Sequence, residues 1–253
     1  MTRNTAIGLT RVGVIVGAIA LVEILCQRKV INPLVMIPPS EMAASLWRLF
    51  GSQKIWDDIA QTFSTVALSF VLSVTAGFAL GAIIHTLPRV RRAVDPLLAS
   101  YYSIPFFVFY PLLIALFGLN TIPLIVIGLV FATAAMVIAT LNGLDRVPRV
   151  MEKTARVLRL SRPRAVLSIT LPSAAPYLFT GLKLALAYSF IGVIAGEFIL
   201  SGGGLGFSIA YAYNNFDSQT MYALMMFVLL IVTIVNGVLH VIEQRLLARR
   251  AGR

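Results

Sequence analysis

The chain has 253 residues, of which 58% are hydrophobic and 12% charged, with a formal net charge of +11 and a mean hydropathy of +0.89. A soluble domain is about half apolar and about a quarter charged, so this composition excludes an ordinary soluble fold. The basic excess does not imply nucleic acid, because it sits at the ends of apolar segments, and a single cysteine, Cys26, excludes an internal disulfide or a thiolate metal cage.

Six apolar segments follow in chain order, at residues 12–26, 59–84, 97–117, 122–141, 177–200 and 222–240. Each reads as a helix, because lipid offers no partner to unpaired backbone groups. A full span needs about 20 apolar residues, so the first segment is short. It carries Glu23 and is preceded by Arg3 and Arg11, like a signal peptide. No small-residue cleavage site follows and Arg28-Lys29 come at once, so it reads as an uncleaved first helix. After Pro38-Pro39, Met42, Leu46 and Leu49 with Trp47 and Phe50 make a short amphipathic helix suited to the membrane interface.

The second segment carries Thr65, Ser69, Ser73, Gly77 and Gly81, each four residues apart. Such a stripe lets helix backbones approach closely. Gly13 and Gly17 in the first segment, and Gly192 and Gly196 in the fifth, repeat the idea. In the third segment Pro105 and Pro111 remove backbone donors and bend the helix. Ser103 and the aromatic run Tyr101, Tyr102, Phe106, Phe107, Phe109 and Tyr110 surround the bend. Two readings stay open there: a kinked packing helix, or one that lines a pathway. Tyr102, Ser103, Pro105, Phe107, Tyr188 and Glu197 are the pathway candidates.

The fifth segment holds Lys183 and Glu197, 14 residues apart, or about 21 Å along a helix, too far to pair. Lys183 is near enough to one end to snorkel. Glu197 is either functional or held by a loop. Ser201-Gly202-Gly203-Gly204-Leu205-Gly206 lacks the Lys-Ser/Thr of a phosphate loop and reads as a tight turn.

Sixteen of the 21 basic residues fall on one side if six helices alternate. That side then faces the cytoplasm and holds both termini. The expectation is an all-α fold: one polytopic membrane bundle over residues 1–253, with six transmembrane helices and a long inner loop at 142–173. His85 and His240 are the only histidines, and there is no Walker A motif and no His-Glu-x-x-His. No catalytic or metal-ligating constellation can be assembled, so the chain reads as no enzyme.

The inner loop carries the most specific signal. Pro148 to Leu160 reads as a helix and Pro163 starts a second. Val150, Thr154, Val157 and Leu158 give the first an apolar side, ringed by Arg149, Lys153, Arg156 and Arg159. The order Lys153-Thr154-Ala155, three residues, Arg159, nine residues, then Ile169-Thr170-Leu171-Pro172 resembles the EAA loop of ABC importer permeases. Lys153 stands where that family has glutamate, with Glu152 adjacent, and Arg159 where it has glycine. Further pieces are similar to the nitrate, sulfonate and taurine branch of those permeases. They are Pro38-Pro39-Ser40-Glu41, Asp58-Ile59 with Thr62, Asp95-Pro96-Leu97-Leu98, Ile104-Pro105, Phe117-Gly118, Asn142-Gly143-Leu144, Gly181-Leu182-Lys183 and Glu197 before Gly204-Leu205-Gly206.

The resemblance implies a type I importer fold in a bacterial inner membrane. Two permease copies would form a passage for a small anion such as a sulfonate, taurine or nitrate. A vitamin precursor or aromatic acid is the alternative cargo. A cytoplasmic ABC ATPase dimer would use the ATP and Mg, with no cofactor bound by this chain, and a solute-binding protein would deliver cargo from outside. Glu152, Lys153, Thr154, Ala155, Arg156, Arg159, Leu160, Ser161, Leu171 and Pro172 would form the ATPase-coupling loop. The rivals are an ion-coupled secondary transporter, which would show broken helices or repeats, and a membrane anchor without a passage.

Overall fold

A computed structural model describes residues 3–32 and 35–251. The described residues form eleven α-helices and no strand. They are α1 (Arg3–Gln27), α2 (Pro39–Leu49), α3 (Gln53–Thr86), α4 (Pro88–Ser100), α5 (Tyr110–Phe117), α6 (Thr121–Asp145), α7 (Arg149–Val157), α8 (Arg162–Ala165), α9 (Leu171–Leu200), α10 (Leu205–Asn214) and α11 (Ser218–Ala251). Two single 3₁₀ turns, Tyr101–Ser103 and Phe106–Phe109, separate α4 from α5. A wide π turn, Val166–Thr170, joins α8 to α9.

Among the described residues four helices are long and apolar enough to cross a bilayer: Gln53–Thr86, Thr121–Asp145, Arg162–Ile199 and Ser218–Arg245. Pro88–Ser103 and Phe106–Phe117 are long and apolar enough only when taken together, as a broken span or a re-entrant loop, and Gly13–Gln27 is a shorter apolar helix. The third segment is therefore not one bent helix from residue 97 to 117. Its first half begins at Pro88, and the two halves meet at 84°. Pro105 has no N–H and pushes Ile104 out of the helical region, to φ −82° and ψ 122°. Pro111 does not bend a helix but starts one, in the first turn of α5, where a missing N–H costs nothing.

The bundle is built on α6, which is gripped by α3 on one side and α9 on the other. Thr62, Thr65, Ser69, Ser73, Gly77 and Gly81 of α3 are all buried. A Cβ on Gly77 would lie 2.6 Å from the Cβ of Met136, and one on Gly192 would lie 2.7 Å from the Cα of Gly128. The three backbones thus approach as closely as small residues allow. Ser69 adds a hydrogen bond from its hydroxyl to the carbonyl of Ile125, at 3.1 Å. At the end away from α7, a second core joins α2, α3, α10 and α11 through Leu46, Ile55, Leu205, Ile209, Leu224 and Phe227.

α1 behaves differently. Val14, Ile15, Val16, Ile19 and Leu21 are exposed, and nothing lies within 4 Å of a Cβ at Gly13 or Gly17. The close packing expected of that pair has no partner among the described residues. α1 is held instead by Glu23, whose carboxylate accepts the backbone N–H and the hydroxyl of Ser40, at 3.0 and 2.6 Å. Glu23 thereby satisfies the N-terminus of α2, where Pro38 provides no side-chain cap. Lys183 also has a partner. Its ammonium pairs with Glu243 of α11 at 2.5 Å, because α11 runs beyond residue 240 and brings that carboxylate alongside.

Candidate functional site

The loop at residues 142–173 folds into a helical hairpin between α6 and α9. Helix α7 covers Arg149–Val157, shorter at both ends than the expected helix from Pro148 to Leu160. Its side toward the bundle carries Ala155 and the partly exposed Met151. Ala155 is buried, and the Met151 sulfur accepts the hydroxyl of Ser173 at 3.3 Å. The face with Val150 and Val157 points away from the bundle, at 72% and 81% exposure, and Leu158 is exposed as well. Lys153, Thr154, Arg156, Arg159 and Ser161 are exposed around it, and Leu160 is half-buried. The side chains of Arg149 and Glu152 lie outside the described residues.

Arg159 explains why a glycine suits its position. Its φ is +48°, in the left-handed region. The N–H of Arg159 donates to the carbonyl of Arg156 at 3.0 Å, and that of Leu160 to Ala155 at 3.0 Å. Those two bonds make a Schellman motif, whose left-handed residue is most often glycine. Further on, Val166–Thr170 winds as a π turn just before Leu171 and Pro172. Pro172 has no N–H for the carbonyl four residues earlier, and a wide turn relieves that mismatch. Leu171 and Pro172 are half-buried at the start of α9.

The broken span gathers the aromatic candidates. The ring of Tyr102 stacks on Tyr188 of α9, centroids 5.0 Å apart and planes 21° apart. Phe107 lies 5.0 Å from Phe131 of α6, and the Tyr101 hydroxyl donates to the carbonyl of Val130 at 2.6 Å. Ser103 and Pro105 are exposed at the break. Tyr102, Ser103, Pro105, Phe107 and Tyr188 therefore share one region.

Glu197 lies elsewhere, fully buried at the end opposite α7. Its carboxylate accepts the hydroxyl of Thr62, 2.9 and 2.8 Å from its two oxygens, and the N–H of Gly206 at 3.0 Å. Asp58 accepts the N–H of Gly204 at 3.1 Å and the hydroxyl of Ser208 at 2.5 Å. Thr62 also accepts the N–H of Leu205 at 2.8 Å. Together these residues satisfy the N-terminus of α10. The glycine run is a turn, and Gly204 has φ +96° where any Cβ would run into the Glu197 carboxylate. Sequence reasoning did not assign Asp58 and Thr62 to this network. Their spacing of four residues, one helical turn, was the available signal.

Residues 73–250 match the family described as binding-protein-dependent transport system inner membrane component. The chain is 30% identical over 193 residues to the nitrate import permease protein NrtB of Leptolyngbya laminosa, covering 76% of this chain and 69% of that one. It is 27% identical over 225 residues to the taurine transport system permease protein TauC of Escherichia coli strain K12, covering 86% and 81%. A chain of the MetNI methionine ABC transporter, solved in inward-facing conformations, shares the fold at 19% identity. Its TM-score is 0.63, over 76% of this chain and 95% of that one. With the helical bundle and the hairpin between α6 and α9, these likenesses make the chain a member of the binding-protein-dependent transport system inner membrane components, the multi-pass permeases of ABC importers.

Proposed function

We propose that this permease forms half of a passage that carries a small anion of the nitrate or taurine class into the cytoplasm, driven by a separate ABC ATPase dimer. The cargo class rests on the relatives named for nitrate and taurine. Family membership sets aside the ion-coupled transporter and the anchor. A second copy would complete the passage, and a solute-binding protein would present the cargo at the end away from α7. The basic residues clustered at the α7 end support a cytoplasmic location for that end by the positive-inside rule. By the same rule both termini are cytoplasmic, with α1 as the first of six spans.

One observation carries the coupling role. α7 keeps Val150 and Val157 exposed on a short basic helix whose other face is fastened to the bundle. Such a face fits a groove with an apolar floor and acidic rim on the ATPase. Lys153, Thr154, Arg156, Arg159, Leu160 and Ser161 would sit at that rim, with Glu152 beside them. Ala155, Leu171 and Pro172 would fix the hairpin to the bundle. Closure of the ATPase dimer on ATP would move α7 as a rigid lever. Because α6 and α9 are packed backbone to backbone, they would move with it, and the Tyr102–Tyr188 region would open alternately to each side. The cargo would meet only neutral groups there, Tyr102, Ser103 and Tyr188, so recognition would rest with the binding protein.

The test replaces Thr154 to Ser161 by a flexible linker in the assembled complex. Uptake of nitrate and taurine should be lost while the chain still inserts in the membrane. Normal ATPase assembly together with normal uptake would overturn the coupling role.

A further inference from the structure

Helix α4 is the loosest part of the broken span. None of its residues is buried. The other half is seated: Tyr110 is buried against Leu124 and Ile127, and Phe106 and Phe107 meet Phe131. The halves join at an 84° break around Ile104 and Pro105. A crevice of about 200 Å³ lies between α4 and α6, lined by Leu98, Ala99, Ile138 and Asn142. Arg91 and Asp95 stand at its edge.

One side chain crosses from α4 to α6. The Nη2 of Arg91 donates to the Oδ2 of Asp145 at 3.1 Å. Asp95, one turn further along α4, accepts from the Nε of Arg91 at 2.6 Å and so aims the guanidinium. His85, at the end of α3, places its Nε2 3.4 Å from the other Asp145 oxygen. Asp145 is the last residue of α6, and α7 begins only four residues later.

We propose that the Arg91–Asp145 pair is the positioning tie through which the α6–α7 unit moves α4, and with it Tyr102 and Ser103. This rests on the permease reading and on the coupling role of α7. The geometry has three parts that a lever needs: a rigid base in α6, a hinge at Ile104-Pro105, and a crevice into which the arm can close. The tie sits near the end of the arm away from the hinge, one residue beyond which α3 ends, and it joins that end to the base of α7. With side chains 24% and 48% exposed, the pair adds little to global stability. Its loss removes a positional constraint rather than the fold.

The experiment uses the full complex, with its ATPase and binding protein, in proteoliposomes. Variants are Arg91→Asp, Asp145→Arg and the double charge swap. The readouts are thermal melting, ATP hydrolysis, and uptake of taurine and nitrate as probes. Each single variant should melt like the parent and hydrolyse ATP, yet take up about tenfold less probe per ATP, the scale of ordinary site-to-site coupling. The double swap should regain most of the parental ratio. An unchanged ratio in the single variants, a joint fall of melting, hydrolysis and uptake, or a swap that restores nothing would each overturn the proposal.

A second readout is independent of cargo. Spin labels at Ala99 and Asn142 should report an ATP-dependent change of distance across the crevice, lost in Arg91→Ala. No change in the parent would overturn the lever. Failure of the parent to transport either probe, with that distance change intact, would strike only the cargo assignment.

Discussion

Removing the carboxylate of Glu197 tests whether it is a structural anchor. In Glu197→Ala two buried donors lose their acceptor, the N–H of Gly206 and the hydroxyl of Thr62. An orphaned buried donor costs about 1–3 kcal/mol, so the loss is about 4 kcal/mol for the two. For a chain of this size each kcal/mol moves the melting midpoint by about 2–4 °C, which puts the Ala variant roughly 8–16 °C below the parent. Glu197→Gln should lose less than half as much, because an amide oxygen in the place of Oε2 still accepts from both Gly206 and Thr62. Thr62 then keeps its bond from Leu205 and an acceptor for its own proton, 2.8 Å away at the Oε2 position. The assay is thermal melting of the detergent-purified chain, with both variants beside the parent. An Ala variant melting within about 2 °C of the parent would refute the anchor reasoning. If that variant also lost uptake, the carboxylate would belong to the passage instead.

Two further predictions follow from backbone geometry. Arg159→Gly removes a left-handed conformation that costs a side-chain-bearing residue about 1–2 kcal/mol, part of it offset by the greater freedom of glycine when unfolded. The amides closing the α7 hairpin should exchange with deuterium about fivefold more slowly, and unchanged or faster exchange would show that Arg159 bears no strain. Gly77→Leu forces a side chain into the Met136 contact, where even a Cβ would sit 2.6 Å away. Overpacking of that kind costs about 1–3 kcal/mol. Melting should therefore fall clearly in Gly77→Leu and not in Gly13→Leu, where the space is open; equal melting of the two would refute the close approach of α3 and α6.

The parts of the fold legible in the sequence were those written in local pattern. The stripe from Thr65 to Gly81 announced a packing face because residues four apart share one side of any helix. Pro105 announced a bend, though not a full break, because a missing N–H acts wherever it falls. The hairpin was legible from Pro148 and Pro163 at the starts of its two helices and from the apolar side of the first. The partner of each pattern was not legible. Gly13 and Gly17 look like Gly192 and Gly196 in sequence, yet only the second pair meets another helix here. Lys183 looked free to snorkel because Glu243 lies 60 residues away.

The sequence by itself determined the class of molecule: a membrane chain, helical throughout, with its basic side and its exposed loop. Hydropathy, prolines and charge asymmetry are properties of each segment, and the bilayer acts on each segment separately. Only the tertiary structure decided which face of α7 turns outward and why Arg159 stands in a glycine's place. It alone brought Asp58, Thr62 and Glu197 together under α10, and Arg91 to Asp145. Those contacts join residues far apart in the chain, and close packing around α6 chooses among many pairings that local pattern leaves equal.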